Sequence, residues 1–201
     1  MDKVLIWDWP VRIGHWLLVG AFALAWITGE SEEWRLVHAF AGGTVVGVIL
    51  FRLLWGLVGT RHARFASFVR GPRAVLGYVL GLLRRDESHY AGHNAAGGWA
   101  IVALLSLGLL TGASGWLVYQ DSGGEWLEEV HEALASGMLG VALLHVVGVV
   151  VSSLAHRENL VRAMFTGLKQ GRHDEAIANS RPLTVVLLLG WVALCAWWLT
   201  R

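Results

Sequence analysis

The sequence predicts an all-α integral membrane protein, in which a four-helix transmembrane bundle is joined by a fifth, C-terminal transmembrane helix and an interfacial amphipathic helix. Three observations support this prediction. Hydrophobic residues make up 55% of the 201 residues, more than in most soluble domains. They fall in long apolar runs that suit a hydrocarbon core of ~30 Å. The charged residues cluster between these runs, and a net charge of +1 points to no nucleic-acid partner.

Five apolar runs can be marked along the chain. Four define spans at about residues 13–28, 37–58, 97–118 and 134–154, and the fifth covers residues 183–199. The first and last are short, but a modest tilt or local thinning of the bilayer accommodates them. The segment 72–85 is too short to span and is expected to lie in the interface as an amphipathic helix. The first run superficially resembles a signal peptide, but no convincing cleavage site follows it, so we interpret it as a retained helix.

The placement of arginine predicts the orientation of these spans. The connections after the second and fourth runs are rich in arginine, whereas those after the first and third are acidic. The positive-inside rule therefore puts the N-terminus and the basic connections in the cytoplasm. With an odd number of spans, the C-terminus is then periplasmic. This predicts a multi-pass protein of the bacterial inner membrane.

The segment 130–157 is the feature around which the bundle is organised. It carries His131 at its start and His145 in its interior. Fourteen helical residues separate the two imidazoles by ~21 Å and return within roughly 40° of the starting face. An imidazole at membrane depth is costly, which favours a functional role. The alternative, packing histidines bonded to backbone carbonyls, accounts less well for a pair on one face.

Two further histidines match these two in depth. His15 lies near the inner end of the first helix, and His38 lies at the outer end of the second. This gives an outer pair, His38 with His131, and an inner pair, His15 with His145. Zinc normally needs four ligands with cysteine or carboxylate among them, whereas a haem iron needs only two axial ligands from the protein. Two haems are therefore predicted, bound non-covalently because no C-x-x-C-H motif is present. Glycines that recur along the runs suit close helix packing and also leave room for a flat macrocycle.

Two arginines are candidate partners for haem propionates. Arg52 interrupts the run VILFRLLW fourteen residues after His38, which places it near the inner pair. A buried arginine needs a partner, although snorkelling to the cytoplasmic interface is an open alternative. Arg12 is the second candidate.

The remaining histidines are interpreted differently. His93 opens the third helix in GHNAAGGW, where it could contribute to a quinone-side pocket; an interfacial residue at a helix start is the alternative. His62, His89 and His173 lie in polar basic loops, where solvated side chains are expected. His156 is expected in the headgroup region.

Six segments between residues 1 and 170 match a known pattern: WDWPVRIGHW, VHAFAG, FRLLWGLVGTRHARF, GHNAAGGW, HEALASGMLGVALLH and HRENLVRAMFTGLK. Together they resemble the prokaryotic cytochrome b561 family, which includes b-type cytochrome subunits of nickel–iron hydrogenases. The resemblance implies a four-helix bundle with two non-covalent b-type haems, electron exchange with quinone, and His15, His38, His131 and His145 as the axial ligands.

Residues 1–170 are therefore assigned to a di-haem cytochrome domain, and residues 171–201 to a cytoplasmic linker and the fifth helix. This helix departs from the shortest family members. Packing on the outside of the bundle, contact with a partner subunit and oligomerisation are open roles for it.

The predicted function is transmembrane electron transfer between the quinone pool and a redox partner. The partner would be a hydrogenase-type subunit or a periplasmic cytochrome c, unless the protein is a freestanding quinone oxidoreductase. A histidine-based proton or metal-ion transporter is the alternative from another class, but the spans hold no buried carboxylates and show no inverted repeat. A purely structural anchor would not need histidines at membrane depth.

Overall fold

The computed structural model describes residues 2–84 and 90–201. Arg85 at the end of the amphipathic segment and the predicted solvated His89 lie outside the described residues. The described part contains seven α-helices and two short strands. In chain order they are β1 (Asp2–Leu5), α1 (Trp9–Thr28), α2 (Arg35–Val58), α3 (Pro72–Arg84), α4 (Ala95–Tyr119), α5 (Glu125–Ala155), α6 (Leu160–Thr166), β2 (Leu168–Gly171) and α7 (Thr184–Leu199).

Four of the described helices, α1, α2, α4 and α5, are long and apolar enough to cross a membrane. This confirms the predicted helical membrane bundle. Helices α1 and α5 both begin before the apolar runs that they contain. Helix α1 begins at Trp9 because the Asp8 carboxylate accepts the N–H of Val11 and Pro10 suits the first turn. Helix α5 begins at Glu125, where acidic side chains favour a helix N-terminus.

The four long helices pack as a chain of neighbours. Helix α5 packs along α4, α4 packs on α2, and α1 packs on α2. One apolar cluster joins all four helices through Ala21, Val45, Ile49, Leu105 and Met138. Helices α1 and α5, which carry three of the four predicted haem ligands, do not pack along each other.

Helix α7 packs closely along α2 and also contacts α1. A Cβ atom at Gly43 would lie 2.9 Å from the Cα of Ala196, and one at Gly47 would lie 3.1 Å from the Cα of Val192. The indole of Trp191 donates to the carbonyl of Gly47 at 3.1 Å. Small residues that let two backbones approach are a common basis of helix packing in membranes. The structure thus shows the fifth helix packed on the bundle; that it spans the membrane stays a prediction.

A small sheet that the sequence analysis did not predict joins the N-terminus to the segment after α6. Strands β1 and β2 pair antiparallel, and the carbonyl of Gly167 accepts the N–H groups of Ile6 and Trp7 at 2.9 and 3.1 Å. Ile6 and Trp7 are buried in an apolar cluster that also contains Ala63 and Ala91. We call residues 2–8, 59–71, 90–94 and 156–177 the cap. It covers the start of α1 and the end of α2.

Helix α3 is tied to the ends of two long helices. Asn94, which precedes α4, donates through Nδ2 to the hydroxyl of Tyr78 at 2.8 Å, and that hydroxyl lies 3.2 Å from Oγ of Ser152 in α5. Leu76 and Val79 leave an apolar surface of α3 exposed. This amphipathic character suits the membrane interface, and the interfacial placement of α3 stays a prediction.

Candidate functional site

The structure places His38 and His131, the predicted outer pair, side by side between α2 and α5. Their ring centroids are 6.0 Å apart, and their planes are inclined by 79°. A metal atom bound to two imidazole nitrogens by bonds of about 2 Å would place the ring centres roughly 6 Å apart. The spacing therefore suits a shared iron. No group of three or more His, Cys, Asp or Glu residues within 2–84 and 90–201 could hold a free metal ion, but a haem iron needs only two protein ligands.

Each imidazole of the outer pair is oriented by a backbone carbonyl of another helix. Nδ1 of His38 lies 2.8 Å from the oxygen of Ala25 in α1, and Nδ1 of His131 lies 3.0 Å from the oxygen of Thr111 in α4. Because a carbonyl oxygen only accepts, Nδ1 is the donor in both rings. Nε2 then keeps its lone pair, as a metal-binding imidazole requires. A carbonyl bond alone would also suit a packing histidine; the paired spacing favours ligation.

Helix α4 provides a close-fitting surface for His131. A Cβ atom at Gly115 would lie 2.7 Å from Cε1 of His131, so the ring can lie there only because residue 115 is glycine. The hydroxyl of Ser114 lies 3.2 Å from Nδ1 of His131 and donates to the carbonyl of Thr111 at 3.0 Å. The sequence analysis did not find these contacts, because a small residue that faces a histidine of another helix leaves no local pattern.

His15 and His145, the predicted inner pair, lie on α1 and α5. The ring of His15 meets the ring of Trp16 edge-on, with centroids 5.0 Å apart. Nδ1 of His15 is enclosed and has no hydrogen-bond partner in the described part of the chain. The His15 ring therefore lacks the carbonyl bond that orients each ring of the outer pair.

Enclosed polar atoms without a hydrogen-bond partner concentrate at the His15 end of the bundle. Among the described residues there are six such side-chain atoms, and five belong to this end: Arg12 Nε, His15 Nδ1, Trp16 Nε1, Arg52 Nη1 and His93 Nδ1. An unsatisfied buried donor costs on the order of 1–3 kcal/mol, so this end of the bundle is suited to a bound group that brings acceptors. Haem propionates are carboxylates, which accept strongly from guanidinium groups. The residues present therefore fit a haem.

The two candidate propionate partners are both covered by aromatic rings. The guanidinium of Arg52 lies 5.0 Å from the ring centre of Phe65 and 5.8 Å from that of Phe68. This covering disfavours the snorkelling alternative. Arg12 is buried, and its guanidinium lies 4.1 Å from the ring centre of Trp9. Both arginines stay candidates for the propionates.

His93 lies just before α4, between two aromatic rings of the cap. Its ring centroid is 4.5 Å from that of Trp7 and 4.7 Å from that of Phe68. Burial lowers the pKa of His93 well below its ordinary value, and the positive charge of Arg52 lowers this pKa further. Asn94, rather than His93, caps α4. His93 is therefore a neutral imidazole beside Arg52, with one ring nitrogen enclosed and free of partners among the described residues.

The prediction that His62 is solvated is wrong. His62 is buried in the cap, and its Nε2 lies 2.7 Å from the carbonyl oxygen of Glu175. Burial, which removes the ring from water, lowers the pKa of His62. The polar sequence around it is misleading, because the segment after β2 folds over this loop. His173, by contrast, is exposed as predicted and lies 3.2 Å from the carboxylate of Asp2.

Asp8 is a positioning residue that the sequence analysis missed. Its side chain is fully buried and accepts three hydrogen bonds, from the N–H of Val11 at 2.9 Å, the indole of Trp55 at 2.9 Å and the hydroxyl of Thr60 at 2.6 Å. It thereby ties the start of α1, with Arg12, to the end of α2. An aspartate two residues before a proline is a helix-start signal that could have identified Asp8 as the N-cap residue of α1. The long-range bonds have no such signal.

Substituting Asp8 with alanine is expected to lower the free energy of unfolding by about 3 kcal/mol, because the helix cap is lost and two buried donors lose their acceptor. Denaturant unfolding in detergent measures this change. Asp8→Asn keeps an oxygen acceptor for the cap and should cost less. Equal stability of Asp8→Ala and the unaltered protein would contradict the role assigned to this carboxylate.

Comparison with known proteins identifies the family. Residues 6–167 match the family described as prokaryotic cytochrome b561. The chain belongs to this family. The matched range contains α1, α2, α4 and α5 with the four predicted ligand histidines, so the family match and the packed helices cover the same part of this cytochrome b561.

Several curated relatives carry the name "Probable Ni/Fe-hydrogenase B-type cytochrome subunit". The cytochrome is 24% identical to the relative from Rhodobacter capsulatus, in an alignment that covers 86% of this chain and 83% of the relative. It is also 24% identical to the relative from Rhizobium leguminosarum bv. viciae, with 83% of this chain and 88% of the relative covered. No solved structure matches the chain.

These findings give this cytochrome b561 its general role. It is a multi-pass membrane protein that transfers electrons by means of b-type haem. When bound, a haem supplies reversible one-electron chemistry at its iron. The four predicted histidines would hold its iron, and Arg12 and Arg52 would donate to its propionates.

Proposed function

We propose that this cytochrome binds two b-type haems, one through His38 and His131 and the other through His15 and His145, and carries electrons across the bacterial inner membrane. The observation that supports this most strongly is the outer pair. Its rings are 6.0 Å apart, and both Nδ1 atoms are held by carbonyl oxygens. Bis-histidine ligation leaves no open position at an iron, which suits electron transfer.

The length of α5 separates the two sites. His131 and His145 are fourteen residues apart on this helix, or ~21 Å along its axis. One iron cannot use both imidazoles, so each needs a ligand from a neighbouring helix at its own depth. Helix α2 supplies His38 at one depth, and α1 supplies His15 at the other. Electrons would therefore pass between two sites at different depths of the membrane.

Quinone is the proposed electron-exchange partner at the inner side, next to His93. This neutral imidazole lies between Trp7 and Phe68 and has an enclosed ring nitrogen without a partner in the described structure. Such a nitrogen can hydrogen-bond a quinone carbonyl or a quinol hydroxyl. The names of the relatives favour a hydrogenase-type subunit as the second redox partner over the periplasmic cytochrome c. Family membership favours electron transfer over the histidine-based transporter.

Reduction by a quinol analogue tests the quinone assignment. The protein in liposomes, kept free of oxygen, should show the absorbance change of haem reduction when a soluble quinol is added. Substituting His93 with glutamine should slow this reduction roughly tenfold or more, the effect of losing a hydrogen bond of about 1.5 kcal/mol. Reduction by dithionite should be unchanged. His173→Gln, at an exposed histidine of the same cap, is the matched control. Equal quinol rates in the two variants would contradict the role of His93, and no reduction by any quinol would contradict quinone exchange.

The proposed orientation puts the N-terminus and the cap in the cytoplasm and the C-terminus in the periplasm. Single cysteines at Arg64 and Ser122, both exposed positions, can be introduced after Cys195 is replaced by serine. A membrane-impermeant thiol reagent added to intact spheroplasts should label position 122 and leave position 64 unlabelled. The reverse pattern would contradict the orientation.

A further inference from the structure

A cationic groove lies where the end of α5 meets α6 and β2. It has a volume of about 230 Å³. Its walls carry four cationic side chains and one carboxylate, which are Lys3, Arg157, Arg162, Lys169 and Glu158. None of these residues belongs to the proposed haem sites. The groove begins directly after the apolar helix α5 ends, so it lies at the level of the membrane surface.

The one carboxylate in the groove is already neutralised. Glu158 and Lys169 are both buried and lie 3.8 Å apart. Glu158 also accepts the N–H of Gln170 at 2.5 Å, and the Lys169 ammonium donates to the carbonyls of Tyr90 and Gly92 at 3.0 and 3.3 Å. This pair is a rigid and electrically balanced wall of the groove.

The three other cations are left with unbalanced charge. Lys3, Arg157 and Arg162 are exposed, and they form no ion pair with another residue that the structure describes. Four cations and one carboxylate give the groove a net charge of +3. Such a groove is suited to an anion with several oxygen acceptors, and a phosphate group has this chemistry.

An exposed apolar surface adjoins the cationic groove. Val161 and Phe165, four residues apart on α6, are 48% and 57% exposed, and Leu154 at the end of α5 is 75% exposed. Phe165 stacks on Trp16 with ring centroids 4.4 Å apart, which fixes α6 against α1. A molecule that fits both surfaces carries an anionic head and apolar chains.

We propose that this groove binds the phosphate of an anionic phospholipid, whose acyl chains lie on the apolar surface of Leu154, Val161 and Phe165. Basic pockets at the cytoplasmic ends of transmembrane helices are suited to such headgroups. Phosphatidylcholine carries its own cation, which the groove would repel. Inorganic phosphate would meet the cations but would leave the apolar surface uncovered. This site is independent of the proposed haem ligands and of quinone exchange.

Native mass spectrometry of the haem-loaded protein in detergent, titrated with phosphatidylglycerol and separately with phosphatidylcholine, tests the proposal. We expect phosphatidylglycerol to bind more tightly. The double variant Arg157→Gln/Arg162→Gln should weaken phosphatidylglycerol binding roughly tenfold or more, because it removes two of the cations that would contact the phosphate. The matched control is Arg64→Gln/Arg73→Gln, which removes the same charge from exposed positions of another basic connection. It should bind phosphatidylglycerol within about twofold of the unaltered protein, because two removed cations outside the groove leave its contacts intact.

Several results would overturn the proposal. Equal weakening of phosphatidylglycerol binding by the two double variants would mean that the lipid responds to the net charge of the protein and not to this groove. If inorganic phosphate at the concentration of the lipid displaces phosphatidylglycerol, the groove is an ion site. If the double variant loses a bound redox subunit but binds the lipid as the unaltered protein does, the groove is a protein interface. If the Arg157→Gln/Arg162→Gln protein does not fold, Lys3→Gln replaces it. Lys3 lies on β1 and also lines the groove, so this variant should weaken phosphatidylglycerol binding severalfold; no change would overturn the assignment.

Discussion

Substituting His38 with alanine is expected to remove the same haem as substituting His131, whereas His15→Ala and His145→Ala are expected to remove the other. The outer rings are 6.0 Å apart, and fourteen residues of α5 separate its two histidines. Each variant should therefore lose about half of the haem and one of two waves in a redox titration, since an iron that loses an axial imidazole is no longer held at that site. Haem per chain and the titration curve are the measurements.

The control for these four substitutions is made at His173. His173→Ala removes an exposed imidazole that belongs to neither pair, and it should keep both waves and the full haem content. The pairing would be wrong if His38→Ala and His15→Ala abolished the same wave. That result would also remove the basis for electron transfer between two depths of the membrane.

Gly115→Ala is expected to disrupt the outer haem while all four histidines are retained. The added Cβ would lie 2.7 Å from Cε1 and 3.0 Å from Nδ1 of His131, distances at which the ring must move. Movement weakens the bond of Nδ1 to the Thr111 carbonyl, now 3.0 Å long, and changes the spacing to His38. A ligand moved by about an ångström can lose most of its effect. We expect loss or a large shift of the outer wave, with the inner wave unchanged.

Gly137→Ala is the matched control for this substitution. A Cβ at position 137 of α5 would have no atom within 4 Å other than those of its chain neighbours and its own helix backbone, so this variant should keep both redox waves. A low-spin spectrum and titration curve of Gly115→Ala identical to those of the unaltered protein would show that the contact with α4 does not position His131.

Most of the bundle could be predicted because it depends on local pattern. An apolar run of membrane length requires a helix, since its backbone groups must be satisfied internally. The runs at residues 37–58 and 97–118 accordingly lie within α2 and α4. The sheet could not be predicted in this way, because β1 and β2 are four residues each and more than 150 residues apart. Their pairing is a tertiary interaction with no periodic signal.

The histidines at membrane depth could be predicted because a polar group there is costly and stands out from its surroundings. The groups that support them could not. Asp8 looks like a helix cap, and nothing nearby shows that Trp55 and Thr60 donate to it. The burial of His62 likewise depends on Glu175, which is 113 residues away in the chain. Such contacts exist only once the cap is folded.

Haem stoichiometry is the most direct test of the central claim, that paired imidazoles hold two b-type haems. The purified, fully loaded protein should contain two haems per chain, and acid–acetone should extract all of them because no C-x-x-C-H motif is present. Electron paramagnetic resonance of the oxidised protein should show only low-spin iron, as expected for two imidazole ligands at each site. One haem per chain, pigment left covalently on the protein, or a stoichiometric high-spin iron would contradict the claim.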